Sequence, residues 1–282
     1  MHIAEDGLRV SVILPAYNPG HLLREAVESV LSQSWTNWEL IIVNDGCTDE
    51  TANYLDSLID TRIRVIHQAN KGVSAARNAA LDIAMGEWVA FLDADDVLPP
   101  DSLASRIRYQ DHHPDIDIID GRITIKDFKL DETLRERLGG IPGKYFPRLI
   151  RLDSAVFFGV AVMVRRASVG NARFKVGLTH CEDLLFLLEA SNGRNWQYGA
   201  VDDSVYWYRT GGASAMTNLC GLEDGYFRLY ESCHMLSECT LEDLEYLYLR
   251  IRRILVRSWL RRVRPLRALS AWRGLNKIRN PA

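Results

Sequence analysis

The chain has 282 residues, of which 47% are hydrophobic and 25% are charged, and its net charge is −3. These values are those of an ordinary globular protein, with one large domain or one domain and an appendage. No stretch reaches the roughly 18 apolar residues of a membrane span, and the N-terminus lacks the features of a secretory signal. Five scattered cysteines, without a C-x-x-C pair, indicate reduced thiols in a cytoplasmic protein.

The first half of the chain alternates strand and helix signals. Short apolar runs predict buried strands at 10–14, 38–43, 63–66 and 88–92. Helices are predicted at 22–31, from Thr48 or Asp49 to Leu58, and at 74–85. Strands that alternate with helices of roughly ten to fifteen residues predict an α/β fold with a doubly wound, mostly parallel sheet.

After Asp120 this alternation weakens. Residues 129–155 are interpreted as an irregular, charged insertion, 181–191 as a short helix, and 205–208 as an aromatic strand. From about Leu222 the chain is predicted to be helical, with a break at Pro265. We therefore expect a domain over 1–220, with halves at about 8–120 and 121–220, and then a helical, basic extension over 221–282.

An acidic cluster follows the fourth predicted strand. Asp93-Ala94-Asp95-Asp96 places three carboxylates within four positions. Such a cluster is costly unless a cation or several donors neutralise it, and ligands of open α/β sheets sit at the carboxyl ends of strands. Because Mg²⁺ and Mn²⁺ prefer oxygen ligands and leave positions open for phosphates, we expect one of them here with a phosphorylated ligand.

Polar residues also follow the other three strands. They are Pro15-Ala-Tyr-Asn18, Asn44-Asp45-Gly46, and Asn70-Lys-Gly72 with Arg77. Downstream come Glu182-Asp183 at the start of an apolar helix, then Tyr208-Arg209, and Ser214. In order and spacing the set resembles the inverting glycosyltransferases of family 2, which have the Rossmann-like A-type glycosyltransferase fold. The resemblance covers about Val10 to Ser214.

The resemblance implies roles for individual residues. Those assigned to the nucleotide and the donor are Pro15, Ala16, Tyr17, Asn18, Asp45, Arg77, Asp93, Ala94, Asp95 and Arg209. Tyr17 would lie beside the base, Asp45 would accept from the uracil imide N–H, and Arg77 would lie near the base and phosphates. Asp93 would contact the ribose or donor sugar, and Asp95 would ligate the Mn²⁺ or Mg²⁺ that bridges the diphosphate.

Asp183 would be the general base that deprotonates the acceptor hydroxyl, since a single-displacement inversion needs one base and no nucleophile. Glu182 is expected to orient Asp183 or to cap its helix, and Asp96 to support the site or act as an N-cap, because adjacent side chains diverge at a strand end. Arg209 is either a pyrophosphate contact or an exposed strand-end arginine, and Ser214 is a weaker candidate. Residues 70–72 are either an ordinary turn or a phosphate contact.

The resemblance implies a metal-dependent, inverting transferase that moves a sugar, most simply UDP-linked, to a hydroxyl of a saccharide acceptor in bacterial surface glycan synthesis. The Gln-x-x-Arg-Trp signature of processive synthases is absent, which favours transfer of one or a few sugars. Two alternatives stay open: a nucleotidyltransferase on a similar fold, and a non-catalytic nucleotide- or glycan-binding relative. No G-x-G-x-x-G or P-loop motif supports a dehydrogenase or a P-loop enzyme.

The charge is unevenly distributed. Residues 250–279 contain ten arginines, one lysine and no acid, so this segment carries +11 and the rest carries −14. Apolar residues alternate with the basic ones at helical spacing, which predicts binding of 249–279 to an anionic membrane surface. Within it, 249–263 is expected to pack on the domain and 266–279 to meet the membrane.

This placement predicts a cytoplasmic protein, peripheral on the inner membrane and close to lipid-linked glycan acceptors. The −14 body would repel phosphates, so nucleic acid is not expected as a partner. The sequence leaves the oligomeric state open.

Overall fold

The computed structural model describes residues 9–156, 159–211 and 218–279. The strands are β1 (Val10–Ala16), β2 (Trp38–Asp45), β3 (Ile63–Gln68), β4 (Trp88–Phe91), β5 (Ile118–Lys126), β6 (Thr133–Arg137), β7 (Gly143–Lys144), β8 (Met163–Arg165) and β9 (Gln197–Arg209). They form one mixed sheet in the order β3-β2-β1-β4-β8-β5-β9-β7, with β6 paired to β5.

The helices lie on both faces of this sheet. They are α1 (Leu22–Leu31), α2 (Thr51–Asp56), α3 (Val73–Ile83), α4 (Ser102–His112), α5 (Phe146–Leu149), α6 (Arg166–Val169), α7 (Glu182–Ser191), α8 (Leu219–Cys233), α9 (Leu241–Arg261) and α10 (Pro265–Arg279). Side chains alternate along each strand, so β1 gives Val12 and Leu14 to a core with α1, α2 and α4. Ile13 packs in a second core with α3 and α7 to α10.

The predicted doubly wound sheet is confirmed in its first half. Strands β1 to β4 are mutually parallel where they pair, with Val10 opposite both Trp38 and Trp88. All residues of β1, β2 and β4 are buried, because helices cover both faces, and this produces the continuous apolar runs seen in the sequence. Their carboxyl ends therefore meet at one edge of the sheet.

The second half is more regular than its sequence indicated. The segment 129–155 contains β6, β7 and α5, so the prediction of an irregular insertion there was wrong in part. Strand β6 is mostly exposed and polar, and β8 has three residues, so neither produces an apolar pattern. Strand β8 runs antiparallel between β4 and β5.

The C-terminal helices share a core with the sheet. Leu229 of α8, Leu247 and Leu255 of α9, and Leu275 of α10 are buried in the cluster that also holds α3 and α7. Helix α9 ends near the predicted break, and α10 starts at Pro265, whose missing N–H is tolerated at a helix start. Among the helices in the described ranges, none combines the length and apolarity needed to cross a membrane.

Candidate active site

The turns after β1 and β2 are joined by one cysteine. The Cys47 thiol donates to the Ala16 carbonyl at 3.3 Å and accepts from the Asn18 backbone N–H at 3.2 Å. The Asn18 side chain accepts from the Thr48 N–H at 2.7 Å. Tyr17 projects from this braced turn with 57% of its surface exposed, which leaves the ring accessible to a planar ligand.

Asp45 is 3% exposed and lies at the end of β2. Its Oδ1 accepts from Gln68 Nε2 at 2.7 Å and from the Lys71 N–H at 2.9 Å, and its Oδ2 accepts from the Gly72 N–H at 2.8 Å. The residues 70–72 thus form a turn organised around this carboxylate, with Gly72 at φ +85°. Because a carboxylate offers about four lone-pair sites, Oδ2 retains one for a further donor.

The three carboxylates after β4 differ in their partners. Asp96 is 2% exposed and accepts from the Arg209 N–H at 2.7 Å. Burial, together with Asp93, raises its pKa well above the ordinary value. Asp93 accepts from Arg77 at 2.9 Å, and its own N–H donates to the Tyr206 hydroxyl. Asp96 therefore supports the loop from within by accepting from the backbone of β9.

Asp95 is the member of this cluster suited to a cation. Within the described residues its carboxylate accepts no hydrogen bond from another side chain, and its own backbone N–H is its one donor. Burial and the neighbouring Asp93 raise the pKa of Asp95. An exposed carboxylate that accepts from no other residue offers its oxygens to Mg²⁺ or Mn²⁺, which prefer oxygen ligands, so this residue fits the predicted metal role.

Arg209 lies behind the aspartate loop. It is 7% exposed, and its Nε donates to the Asp95 carbonyl at 2.7 Å. Its other nitrogens donate to the Phe128 carbonyl and to Glu25 at 2.7 Å. The arginine thereby ties β9 and α1 to the loop, and contact with a pyrophosphate would require one of these bonds to open.

The second acidic pair opens α7. Cys181 precedes it in the left-handed region at φ +61°, a costly conformation that typically marks a functional turn. Asp183 is half-buried and its Oδ1 accepts from the Leu184 N–H at 2.7 Å. Burial and the adjacent Glu182 raise the pKa of Asp183 from 3.8 to about 7, while Arg77 acts in the opposite direction.

Arg77 connects the two acidic groups. Its guanidinium donates to Asp93 at 2.9 Å and to Glu182 at 3.0 Å, and its side chain is 4% exposed. The same group lies 5.2 Å from the centre of the Phe174 ring. One cation therefore holds the loop after β4 and the start of α7 together, which brings the predicted donor side and the predicted base into one site.

Sequence reasoning missed three contributors to this site, Tyr206, Phe174 and helix α8. A Cβ added at Gly225 would lie 2.5 Å from the His180 carbonyl oxygen, and one at Gly221 would lie 2.8 Å from its ring. The spacing of these glycines, four apart on one helix face, was the available signal for this close approach. Ser214 lies outside the described residues.

The fold, an α/β domain with a large central sheet and C-terminal helices, is that of the A-type glycosyltransferases. The family model described as glycosyl transferase family 2 matches residues 11–171, and the chain belongs to that family. It is a glycosyltransferase, and inversion is typical of the family.

Two relatives indicate the range of similarity. The chain is 27% identical over 265 residues to glycosyltransferase GlyG of Streptococcus pneumoniae, covering 86% of this chain and 84% of the relative. It is 38% identical over 103 residues to WfgD of Escherichia coli, a UDP-Glc:alpha-D-GlcNAc-diphosphoundecaprenol beta-1,3-glucosyltransferase. That match covers 36% of this chain and 41% of WfgD.

Two solved structures share the fold. S. aureus TarS in complex with UDP-GlcNAc superposes with a TM-score of 0.67 at 17% identity, covering 96% of this chain and 92% of that one. The mannosyltransferase PcManGT from Pyrobaculum calidifontis, in complex with GDP-Man and Mn²⁺, superposes with a TM-score of 0.63 at 16% identity. It covers 98% of this chain and 76% of the other. The first-half topology and the additional strands thus belong to a known architecture.

Proposed function

We propose that the chain is a metal-dependent, inverting glycosyltransferase that moves a sugar from a UDP-linked donor to a saccharide hydroxyl. The reaction transfers one or a few sugars in bacterial surface glycan synthesis. The observation that carries the proposal is the Arg77 bridge, which joins the loop containing Asp93 and Asp95 to the helix start containing Glu182 and Asp183. A donor on the first side and an acceptor on the second would meet at this point.

Asp183 acts as the general base in this proposal. Its pKa, raised to about 7 by burial and by Glu182, matches the requirement that a base be poised near the working pH. Attack by the deprotonated hydroxyl breaks the bond between the anomeric carbon and the diphosphate oxygen, and the configuration inverts. Arg77 and Glu182 hold the helix start, which would keep Asp183 close to the donor side.

Asp95 holds the cation in this proposal. Across the described residues no group of three or more His, Cys, Asp or Glu side chains could hold a metal alone, so donor phosphate oxygens would complete the coordination. When bound, Mn²⁺ or Mg²⁺ would stabilise the negative charge of the leaving diphosphate. Asp96 and Arg209 keep the loop in position, and Asp93 faces the ribose or donor sugar.

The donor nucleoside is assigned to the turn after β1 and to Asp45. Tyr17 presents an exposed ring for the base, and the free lone pair of Asp45 would accept an imide N–H. A buried acceptor of this kind discriminates strongly against bases that leave it unpaired. UDP-GlcNAc bound to TarS, which shares the fold, is consistent with a UDP donor.

The acceptor proposal is a glycan carried on a lipid at the cytoplasmic face of the inner membrane. The name of WfgD specifies a diphosphoundecaprenol acceptor for that relative. In this chain, α9, α10 and the turn between them present exposed apolar side chains among arginines, including Val263 of the turn at 84% and Leu266 of α10 at 82% exposure. Helices of this composition bind anionic lipid surfaces, which would bring the site to such acceptors.

A donor and acceptor panel tests the proposed function. Released nucleoside diphosphate is measured over UDP- and GDP-sugars with Mn²⁺, Mg²⁺ or EDTA, and the product linkage is determined by NMR. We expect UDP release that requires a cation and an acceptor, with a β linkage formed from an α-linked donor. Retention of configuration contradicts inversion, and donor binding without turnover indicates a non-catalytic relative. In a parallel assay that supplies a nucleoside triphosphate and a sugar phosphate, release of pyrophosphate indicates a nucleotidyltransferase.

A further inference from the structure

Apart from the candidate active site, a cavity lies between the start of α8 and the turn that joins α9 to α10. Its volume is about 450 Å³, and it is lined by Asn218, Leu219, Cys220, Trp259, Arg262 and Arg264. Trp259 Nε1 donates to Glu223 of α8 at 2.8 Å, which fixes the end of α9 against α8. The walls of the cavity are therefore held by a defined contact between helices.

The cavity carries two cations without a counter-ion. In the described part of the chain no ion pair joins Arg262 or Arg264 to a carboxylate, and the described residues that line the cavity include no acid. Glu223 of α8 accepts from Trp259. Val263 between the two arginines has φ +56°, an unusual value for a β-branched residue. Val263 ends α9 in this conformation, because its N–H donates to the Leu260 carbonyl and the Arg264 N–H donates to the Trp259 carbonyl. The arginines on either side of it both line the cavity.

The cavity adjoins the predicted acceptor side of the active site. Gly221 and Gly225, in the first turns of the helix whose start forms the cavity wall, approach His180 closely. His180 is three residues before Asp183. The first turns of α8 and the segment 180–182 therefore connect the cavity wall to the proposed base.

We propose that Arg262 and Arg264 bind the phosphate groups of a phosphorylated acceptor and so present its sugar to Asp183. Two guanidinium groups suit a phosphate or diphosphate, because each can form paired, charge-assisted hydrogen bonds, whereas a neutral saccharide has no use for both charges. A groove of about 730 Å³ lies between α9 and α10, and its lining includes the apolar residues Leu249, Val256 and Trp272. This groove offers space for the acceptor's lipid. The inference rests on the proposed function and specifies its acceptor.

Cys220 provides a readout of this cavity that does not depend on activity, because its free thiol is exposed and forms part of the wall. The full chain is alkylated with iodoacetamide in the presence and absence of inorganic pyrophosphate, and mass spectrometry follows Cys220. We expect pyrophosphate to slow its alkylation in the wild type and to have no effect in R262Q/R264Q. The matched control R253Q/R257Q, which removes two charges from the neighbouring groove, should keep the protection.

A phosphate bound here could belong to the acceptor or to a lipid headgroup, and kinetics distinguish them. An acceptor sugar that is active in the panel is prepared in two forms. In one it is linked to an alkyl chain through a diphosphate, and in the other it is linked directly to the alkyl chain as a glycoside. We expect R262Q/R264Q to raise KM for the diphosphate form about tenfold or more, since hydrogen bonds to charged groups are lost, and to leave KM for the glycoside and for the donor unchanged.

Three outcomes would overturn the inference. The first is Cys220 alkylation that pyrophosphate does not slow in the wild type, and the second is protection that persists in R262Q/R264Q. The third is unchanged KM for the diphosphate form while binding to phosphatidylglycerol vesicles falls, which assigns the cavity to a headgroup. Absence of transfer to any acceptor, with pyrophosphate protection intact, contradicts the proposed function instead.

Discussion

Arg77 and Glu182, 105 positions apart in the sequence, form an ion pair of 3.0 Å. The second donor group of Arg77 reaches Asp93 at 2.9 Å, so the same guanidinium touches both halves of the site. Burial is the main cause that raises the pKa of Asp183, the charge of Glu182 adds to it, and the charge of Arg77 opposes it. The contact that holds the start of α7 therefore also adjusts the basicity of the proposed base.

Replacing Arg77 by glutamine should shift the pH dependence of transfer. Removal of the positive charge leaves Glu182 and Asp93 uncompensated and raises the pKa of Asp183 further, so the acidic limb of kcat/KM should move to higher pH. Arg77→Lys keeps the charge but cannot span both carboxylates, so it should lower kcat with little movement of the limb. If the acidic limb of kcat/KM lies at the same pH in both variants, the charge of Arg77 does not tune the base. Circular dichroism confirms that both variants are folded.

Replacing Asp183 by asparagine should abolish transfer and preserve donor binding. The amide cannot accept the proton of the hydroxyl, and loss of a general base costs about 10²–10⁴-fold in rate. Wild-type kcat/KM should rise with pH up to about 7 and level off above it, because the ionised carboxylate is the active form. Pre-steady-state transfer and calorimetry of UDP binding check both points, and near wild-type transfer by a folded Asp183→Asn variant would remove this residue from the mechanism.

Replacing Asp95 by alanine should remove the dependence of UDP binding on the cation. Asp95 is the cluster member whose carboxylate is unused within the described residues, whereas Asp93 and Asp96 accept from Arg77 and Arg209. Calorimetry of UDP with and without Mn²⁺ compares Asp95→Ala with Asp96→Asn. If Mn²⁺ strengthens UDP binding equally in Asp95→Ala and in the wild type, the metal role belongs elsewhere.

Replacing Gly225 by alanine should destabilise the protein and impair transfer together. The new methyl group would lie 2.5 Å from the His180 carbonyl oxygen, and such overpacking typically costs about 1–3 kcal/mol. Gly274→Ala is the matched helical control, since its methyl group would meet only the edge of the Phe227 ring at 3.0 Å. Urea unfolding measures the difference, and equal stability of the two variants would show that α8 does not constrain the start of α7.

Charge removal on α10 should weaken membrane binding without unfolding the helix. Deleting α10 would remove Ala271 and Leu275, which are fully buried, and would expose the core residues of α8 and α9 that they cover, so substitution is the cleaner test. Arg273→Gln with Lys277→Gln should reduce co-sedimentation with anionic vesicles at low salt, since each basic residue near the surface contributes about 1 kcal/mol. Full-length protein that remains in the supernatant at low salt would contradict the membrane proposal.

The sequence by itself determined the parallel half of the fold. The buried strands β1, β2 and β4 have both faces covered, so nearly every residue is apolar, and helix α1 matches its prediction of 22–31. The acids Asp95 and Asp183 were also identified from order and spacing, although their roles stay predictions. Local periodicity was sufficient for these elements because the apolar residues within each segment show directly which of its faces are buried.

Only the tertiary structure decided how the site is assembled. Arg209 was expected at the phosphates or in solvent, but it lies buried between Glu25, 184 positions away, and the aspartate loop. The Arg77 bridge, the packing of α8 on His180 and the convergence of Arg262 with Arg264 likewise join segments distant in sequence or depend on one unusual backbone angle. A periodic pattern shows which face of an element is buried. It does not show which distant residue will form a hydrogen bond or an ion pair with a given side chain, because that depends on how the elements pack.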